Sequence, residues 1–241
     1  MASPINGLNL RAIAILFAAI VVSNPRVNGA GDILTRVDHL IYATPDLKMG
    51  MDAIEKLFGA RATAGGQHLG EGTRGALISL GPATYLEIVG PDPEQPNPVK
   101  PRRFGIDDLA MPRLAAWAAK GQDLDRLHDE ARSRGVTLGD VVGVSRRRPD
   151  GLQLFWRNTN PRTIIADGLV PYFIEWSASP HPSRTSPAGV RLTGLRAEHP
   201  DSERVNKIFA QLGIDLLVQR GPRPSLIATF TSPKGRVELR N

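Results

Sequence analysis

The sequence contains no cysteine among its 241 residues. This absence excludes disulfide bonds and thiol catalysis, and it leaves nitrogen and oxygen side chains as the ligands for any metal. Three familiar motifs are also missing: the Gly-Lys-Ser/Thr phosphate loop, the Gly-x-Ser-x-Gly nucleophile elbow and the His-Glu-x-x-His zinc helix. The chain therefore offers no sign of nucleotide hydrolysis, serine-hydrolase chemistry or zinc-protease chemistry.

Positive charge is in modest excess, with a formal net charge of +6. The one dense basic run is Arg146-Arg147-Arg148, and no aromatic side chains interleave with it. Nucleic-acid binding favours a basic surface with stacking groups, so we predict no nucleic-acid partner. The sequence leaves a homodimer open.

One apolar run stands out near the N-terminus, where Arg11 precedes the apolar residues 12–22. Eleven residues are too few to span a bilayer and match the apolar part of a signal peptide. We predict that residues 1–30 are a signal peptide, so that the mature chain is exported to the periplasm or secreted, with no stable membrane span. The alternatives are a short membrane anchor or a misassigned start, and an uncleaved chain would be cytoplasmic.

The rest of the chain contains an internal repeat. Three segments share a strand, an Asp, an amphipathic helix and a Gly, with Asp-to-Gly spacings of 13, 12 and 12 residues. The Asp–Gly pairs are Asp46 and Gly59, Asp123 and Gly135, and Asp201 and Gly213. Asp accepts hydrogen bonds at a helix start, and Gly adopts the left-handed conformation that ends a helix. Three extended segments follow each Gly, so the sequence predicts three βαβββ units, at about 36–92, 112–178 and 189–241, within one domain over 34–241.

The first unit carries recognisable motifs. It opens with Asp38-His39-Leu40, continues through Gly65-Gly66-Gln67-His68 and closes with Tyr85-Leu86-Glu87-Ile88. With this order of motifs, residues 36–241 resemble the vicinal-oxygen-chelate superfamily, which includes glyoxalase I, extradiol dioxygenases and the fosfomycin- and bleomycin-resistance proteins. Within it, the chain is similar to the glyoxalase-like domain subgroup.

The resemblance implies an α+β fold. In that superfamily two βαβββ units pair into a cupped sheet, and the first and last strands of each unit supply metal ligands to its concave face. We expect units one and two to pair, with the shorter third unit packed alongside.

The resemblance places His39 and Glu87 at the metal-ligand positions of the first unit. Glu175 on the last strand of the second unit is the third candidate, and it is also a candidate general base. The equivalent first-strand positions hold Ala116 and Gly194, which cannot bind a metal. One His and two carboxylates suit a divalent metal such as Fe, Mn, Ni or Zn.

Three further residues are candidates for binding substrate. His68 and Thr73 lie in a glycine-rich segment whose backbone can approach a ligand closely. Arg146 is a candidate clamp for a substrate carboxylate or phosphate. The alternatives are a structural core role for His39 and an exposed hairpin for His68.

Two functional hypotheses follow from this resemblance. The first is metal-dependent lyase, isomerase or dioxygenase chemistry on a small molecule in the cup. The second is a metal-free protein that sequesters a small hydrophobic or anionic compound, as bleomycin-resistance proteins do. Ala116 and Gly194 favour the second, and whether the chain is an enzyme stays open at this point.

Overall fold

The computed structural model describes residues 30–95 and 101–241. The predicted signal peptide, residues 1–30, lies outside the described residues apart from Ala30. Among the described residues, no helix is long and apolar enough to cross a membrane.

The described chain follows the predicted order of three βαβββ units. A short helix α1, Ala30–Arg36, precedes them. The first unit is β1 Val37–Ala43, α2 Leu47–Phe58, β2 Thr63–His68, β3 Thr73–Gly81 and β4 Thr84–Pro91. The second is β5 Arg113–Lys120, α3 Leu124–Ser133, β6 Val141–Arg147, β7 Gln153–Thr159 and β8 Tyr172–Trp176. The third is β9 Arg191–His199, α4 Ser202–Gln211, β10 Val218–Arg220, β11 Ser225–Ser232 and β12 Gly235–Arg240.

Helix termini form where the repeat predicts them. The side chains of Asp46, Asp123 and Asp201 each accept a hydrogen bond from the backbone N–H three residues later. The glycine that follows each helix has a positive φ: 72° at Gly59, 83° at Gly135 and 64° at Gly213. The shared pattern therefore records the same pair of capping interactions in each unit.

Units one and two form a single eight-stranded sheet, as expected, in the order β2-β3-β4-β1-β5-β8-β7-β6. The first strands of the two units, β1 and β5, pair antiparallel at its centre. Each is flanked by the last strand of its own unit, which runs parallel to it. Residues from both units therefore face one concave surface, which we call the cup.

The third unit has the predicted element order but a different strand pairing. Its separate four-stranded sheet has the order β10-β9-β11-β12. The three-residue strand β10 lies parallel beside β9, in the place that the last strand takes in the other units. Because β12 pairs with β11 instead, this unit cannot repeat the geometry of the cup.

One hydrophobic core joins all three units. It includes Phe58 of α2, Leu86 of β4, Phe173 of β8 and Phe230 of β11. The rings of Phe58 and Phe230 lie 5.0 Å apart between centroids, so α2 packs between the two sheets. On the cup side, Ile106 from the linker segment Arg103–Asp108 packs against Ile41 and Val89. This linker segment covers one end of the cup.

Capping by Asp46 can be tested directly, because its side chain accepts from the Met49 N–H at 2.7 Å. We expect Asp46→Ala to lower the free energy of unfolding by about 1 kcal/mol, measured by urea denaturation. Asp46→Asn is the matched control, and it should stay within about 0.5 kcal/mol of the parent because Asn caps as well as Asp. Equal losses in both variants would contradict a capping role.

Candidate functional site

A hydrogen-bonded chain of three side chains lies at the centre of the cup. His39 Nδ1 is 2.7 Å from Asp38 Oδ1, and His39 Nε2 is 2.5 Å from the Tyr172 hydroxyl. Because the carboxylate of Asp38 accepts, the proton lies on Nδ1, and Nε2 accepts from the hydroxyl. His39 therefore presents a lone pair, in the arrangement of a general base held by a carboxylate.

Neighbouring residues on a strand normally point to opposite faces, so the contact between Asp38 and His39 needs a local cause. The pairing of β1 with β5 shifts register there: Val37 is opposite Ala119, whereas His39 is opposite Ala118. Between these two pairs β1 continues by two residues whereas β5 continues by one, as in a β-bulge. The bulge re-aims the side chains and lets Asp38 reach the ring beside it.

Asp38 is buried and receives further hydrogen bonds. Trp176 Nε1 donates to its Oδ2 at 3.1 Å, and His181 Nε2 lies 3.2 Å from the same oxygen. Burial alone raises the pKa of Asp38, but the hydrogen bonds and charges of His181 and His39 outweigh it and bring the pKa to about 2. Asp38 is therefore ionised at neutral pH.

A second buried network lies beside the first. Arg146 Nη1 is 3.1 Å from Glu87 Oε1, and His68 Nε2 is 3.2 Å from the same oxygen. His68 Nδ1 is 3.0 Å from the Thr73 hydroxyl. Burial raises the pKa of Glu87, but the hydrogen bond and charge of His68 together with the charge of Arg146 bring it well below its usual range. Burial lowers the pKa of His68, so a neutral His68 faces an ionised Glu87.

Glycines make room for this network. A Cβ at Gly75 would lie 2.9 Å from Glu87 Oε1, and one at Gly65 would lie 3.2 Å from Arg146 Nη1. Both distances are too short for a comfortable contact. The glycine-rich segment therefore admits the Glu87–Arg146 pair, and this explains why glycine stands at position 75.

The two networks surround a small cavity of about 30 Å³. Tyr85 stacks on His39 in its wall, with ring centroids 4.6 Å apart. Burial, with a contribution from the charge of Glu87, raises the pKa of both Tyr85 and Tyr172 well above 10. Both phenols therefore keep their protons at neutral pH and can donate hydrogen bonds.

Four predicted site residues line this cavity together: His39, His68, Glu87 and Arg146. Thr73 supports His68 from behind and does not line the cavity. Glu175 lies elsewhere, where it accepts from the Asp123 N–H at 3.2 Å and faces Arg157 at 4.0 Å. Because Tyr172, Ile174 and Trp176 line the cavity, strand alternation turns Glu175 to the opposite face. Glu175, predicted as a metal ligand and general base, therefore lies apart from the cup cavity that four of the other candidates line.

Sequence reasoning missed three contributors to the site, Asp38, Tyr172 and His181. Asp38 belongs to the Asp38-His39-Leu40 motif, but strand alternation placed it on the other face. Tyr172 shares the parity of Trp176, so the alternation of β8 was the signal that could have found it. His181 comes from the segment between units, where no periodicity constrains the position of a side chain.

The residues present do not fit the predicted metal site. Within 30–95 and 101–241, no group of three or more His, Asp or Glu side chains is placed to hold a metal ion. Glu87, an expected metal ligand, already has its Oε1 against Arg146 and His68. A buried guanidinium thus supplies the positive charge that a divalent ion would bring to this carboxylate.

Comparison with known families decides the relationship. Residues 37–213 match the family described as a glyoxalase-like domain. The chain belongs to this family. The glyoxalase-like protein is thus a member of the vicinal-oxygen-chelate superfamily, as its motifs indicated, and the match extends to the end of α4.

Solved structures are similar to this chain at low sequence identity. A hypothetical protein from Staphylococcus aureus has a TM-score of 0.54 and 12% identity, over 85% of this chain and 84% of its own. Methylmalonyl-CoA epimerase from Mycobacterium tuberculosis has a TM-score of 0.40 and 22% identity, over 60% of this chain and 90% of its own. A Streptomyces coelicolor methylmalonyl-CoA epimerase variant, in complex with 2-nitronate-propionyl-CoA, has a TM-score of 0.42 and 22% identity, over 62% and 99%. A comparison with curated proteins finds no match.

The Glu87–Arg146 pair predicts strong thermodynamic coupling between two units. Arg146→Met leaves a buried carboxylate without its cation, so the free energy of unfolding should fall by about 3–5 kcal/mol in urea denaturation at pH 7. Adding Glu87→Gln should restore part of that loss, because no charge is then buried. A loss below about 1 kcal/mol for Arg146→Met alone would contradict the pairing.

The depressed pKa of Asp38 predicts a pH dependence of stability. A carboxyl whose pKa falls from 3.8 to about 2 on folding stabilises the fold above 3.8, and this contribution disappears as the pH drops through 2. We expect the parent to lose about 2 kcal/mol more than Asp38→Asn between pH 5 and pH 2. Urea denaturation at each pH measures the difference, and parallel profiles would count against an ionised, hydrogen-bonded Asp38.

Proposed function

We propose that this glyoxalase-like protein catalyses proton transfer on a small carbonyl compound, without a metal. The observation that supports it most is the Asp38–His39–Tyr172 chain, whose His39 and Tyr172 line the cup cavity. It combines a proton acceptor and a proton donor at one point. Among the reaction types expected from the family, isomerase and lyase reactions are the ones that use a proton acceptor and a proton donor together.

His39 is the proposed base. Asp38 fixes its proton on Nδ1 and leaves Nε2 as the acceptor. When Nε2 takes a proton from a C–H bond beside a carbonyl, the ionised carboxylate stabilises the imidazolium that forms. Because Asp38 keeps its negative charge at neutral pH, this support is present throughout the working range of a histidine base.

Tyr172 is the proposed donor to the carbonyl oxygen. In the free protein its hydroxyl occupies His39 Nε2, so a bound carbonyl must draw the hydroxyl away. That exchange frees Nε2 and gives the carbonyl oxygen a donor in the same movement. The C–H electron pair then forms a C=C bond, the carbonyl π pair moves to oxygen, and Tyr172 stabilises the resulting enolate. Return of the proton from His39 to the same position regenerates the substrate and permits hydrogen exchange with solvent, whereas delivery of the proton to another carbon of a conjugated enolate completes an isomerisation.

Arg146 balances the charge of the cup. An ionised Glu87 without a partner would repel an enolate formed close to it. The guanidinium at 3.1 Å cancels that charge, and its Nε has no hydrogen-bond partner among the described residues. The neutralised pair therefore does not repel a negatively charged intermediate in this cavity.

A second candidate function is binding without chemistry. The cavity beside His39, at about 30 Å³, has room for one or two water molecules in the free protein. A protein that sequesters a compound would use the same walls and would show no turnover. The test below separates the two.

Deuterium exchange tests the proposed proton transfer. Phenylpyruvate carries an enolisable CH₂ beside a ketone, and ¹H NMR in D₂O follows loss of that signal. We expect the parent protein to accelerate exchange over buffer, and His39→Gln to lose about 100-fold or more of that rate, since Gln cannot take up the proton. His128→Gln, on α3 outside the cup cavity, is the matched control and should exchange at the parent rate.

Two results would overturn the proposal. The first is the absence of accelerated exchange with phenylpyruvate and with the smaller ketones pyruvate and oxaloacetate. The second is an exchange rate that His39→Gln leaves unchanged. Binding of these compounds without exchange would instead support the sequestering function.

A further inference from the structure

A second and larger cavity lies directly beside the cup. Its volume is about 370 Å³, and it is bounded by β5, the linker segment and the loop over 161–168. It shares Arg103, Phe104 and Tyr172 with the cup cavity. The Tyr172 side chain therefore lines this cavity as well, while its hydroxyl contacts His39.

Three of the four arginines around this cavity form ion pairs with carboxylates of the protein. Arg102 donates to Asp107 at 2.5 Å and to the Gly72 carbonyl at 2.8 Å. Arg162 donates to Glu71 at 2.5 Å, and Arg103 faces the same carboxylate at 3.5 Å. These contacts tie the linker segment and the 161–168 loop to the turn that follows β2.

Arg113 is different. Within the described part of the chain its guanidinium has no hydrogen bond and no ion pair, although the residue is half-buried at the start of β5. A Cβ on Gly105 would lie 3.9 Å from Nη2 of Arg113, so the guanidinium lies beside the linker segment. A partly desolvated cation without a partner favours an anion from outside the protein.

The remaining walls are apolar apart from Thr163, Asp167 and Asn241. The Asp167 carboxylate is paired with His199 Nε2 at 2.8 Å. Ala115, Ala116 and Val170 line the cavity, and Ile164 stands at the mouth with 76% of its surface exposed. The Phe104 ring closes the side nearest the cup. Apolar walls with one unpaired cation suit a molecule that has an apolar body and a single anionic group.

The two loops around the cavity hold an unusual backbone. Phe104, Ala166 and Asp167 have φ values of 63°, 49° and 55°, and Asp123 is the one other non-glycine residue with positive φ among those described. Side chains disfavour this conformation, and such strain clusters at ligand clamps. The strain therefore supports a ligand role for the same cavity.

We propose that this second cavity binds the carboxylate of an amphipathic anion at Arg113, with the carbons next to the carboxylate directed past Phe104 towards Tyr172 and His39. The inference rests on the proposed function in one respect, because it identifies this anion as the substrate class of the cup. The binding itself requires no chemistry, so it can be tested alone.

The test uses 3-phenylpropionate, which has an apolar ring and a carboxylate but no ketone to react. Isothermal titration should show binding to the full chain, and Arg113→Gln should weaken it about tenfold or more. Arg236→Gln removes an exposed arginine of β12 and should bind like the parent. The neutral amide, 3-phenylpropanamide, should bind equally to the parent and to Arg113→Gln.

A variant of the apolar wall checks the location. Ala116→Leu adds volume inside the cavity and should reduce 3-phenylpropionate binding while Arg113 stays intact. His39→Gln should keep binding even though it loses deuterium exchange, so the two proposals can fail separately. No binding by the parent, or equal affinity for Arg113→Gln and Arg236→Gln, would overturn the inference.

Discussion

The buried ion pair between Glu87 and Arg146 is the interaction on which the site depends. It joins β4 of the first unit to β6 of the second, across a cup in which both side chains are buried. Neither charge is tolerable there alone. The glycines that admit the side chains and the neutral His68 that shares the carboxylate follow from this constraint. The misfit with a metal also follows, because the Glu87 carboxylate that was expected to bind it already faces the Arg146 guanidinium.

Much of the fold could be predicted from the sequence because it rests on local interactions. The Asp46–Gly59 spacing and its two copies record helix caps, and caps depend on residues a few positions apart. The pairing of units one and two came from the family resemblance. The pairing within the third sheet could not be foreseen, since β10 and β12 compete for positions that only the packed sheets decide.

The candidate site was predictable in part, for a related reason. His39, His68, Glu87 and Arg146 were each recognisable as unusual residues on apolar strands or in a glycine-rich segment. Which of them touch was not, because closure of the eight-stranded sheet brings residues 59 positions apart into contact. Glu175 shows how sensitive such reasoning is to a shift of one residue. Its neighbours Ile174 and Trp176 line the cavity together with Tyr172, so strand alternation turns Glu175 to the other face. The bulge at Asp38 has the opposite effect and adds a residue that alternation would exclude.

We infer that Arg146, rather than a metal ion, neutralises Glu87 in the cup. Titration of the chelator-treated full chain with Co²⁺, followed by visible absorption and isothermal titration, tests it most directly. The account predicts no visible band from protein-bound Co²⁺ and no stoichiometric binding. One equivalent of tightly bound Co²⁺ per chain, lost in both His39→Ala and Glu87→Gln, would contradict it.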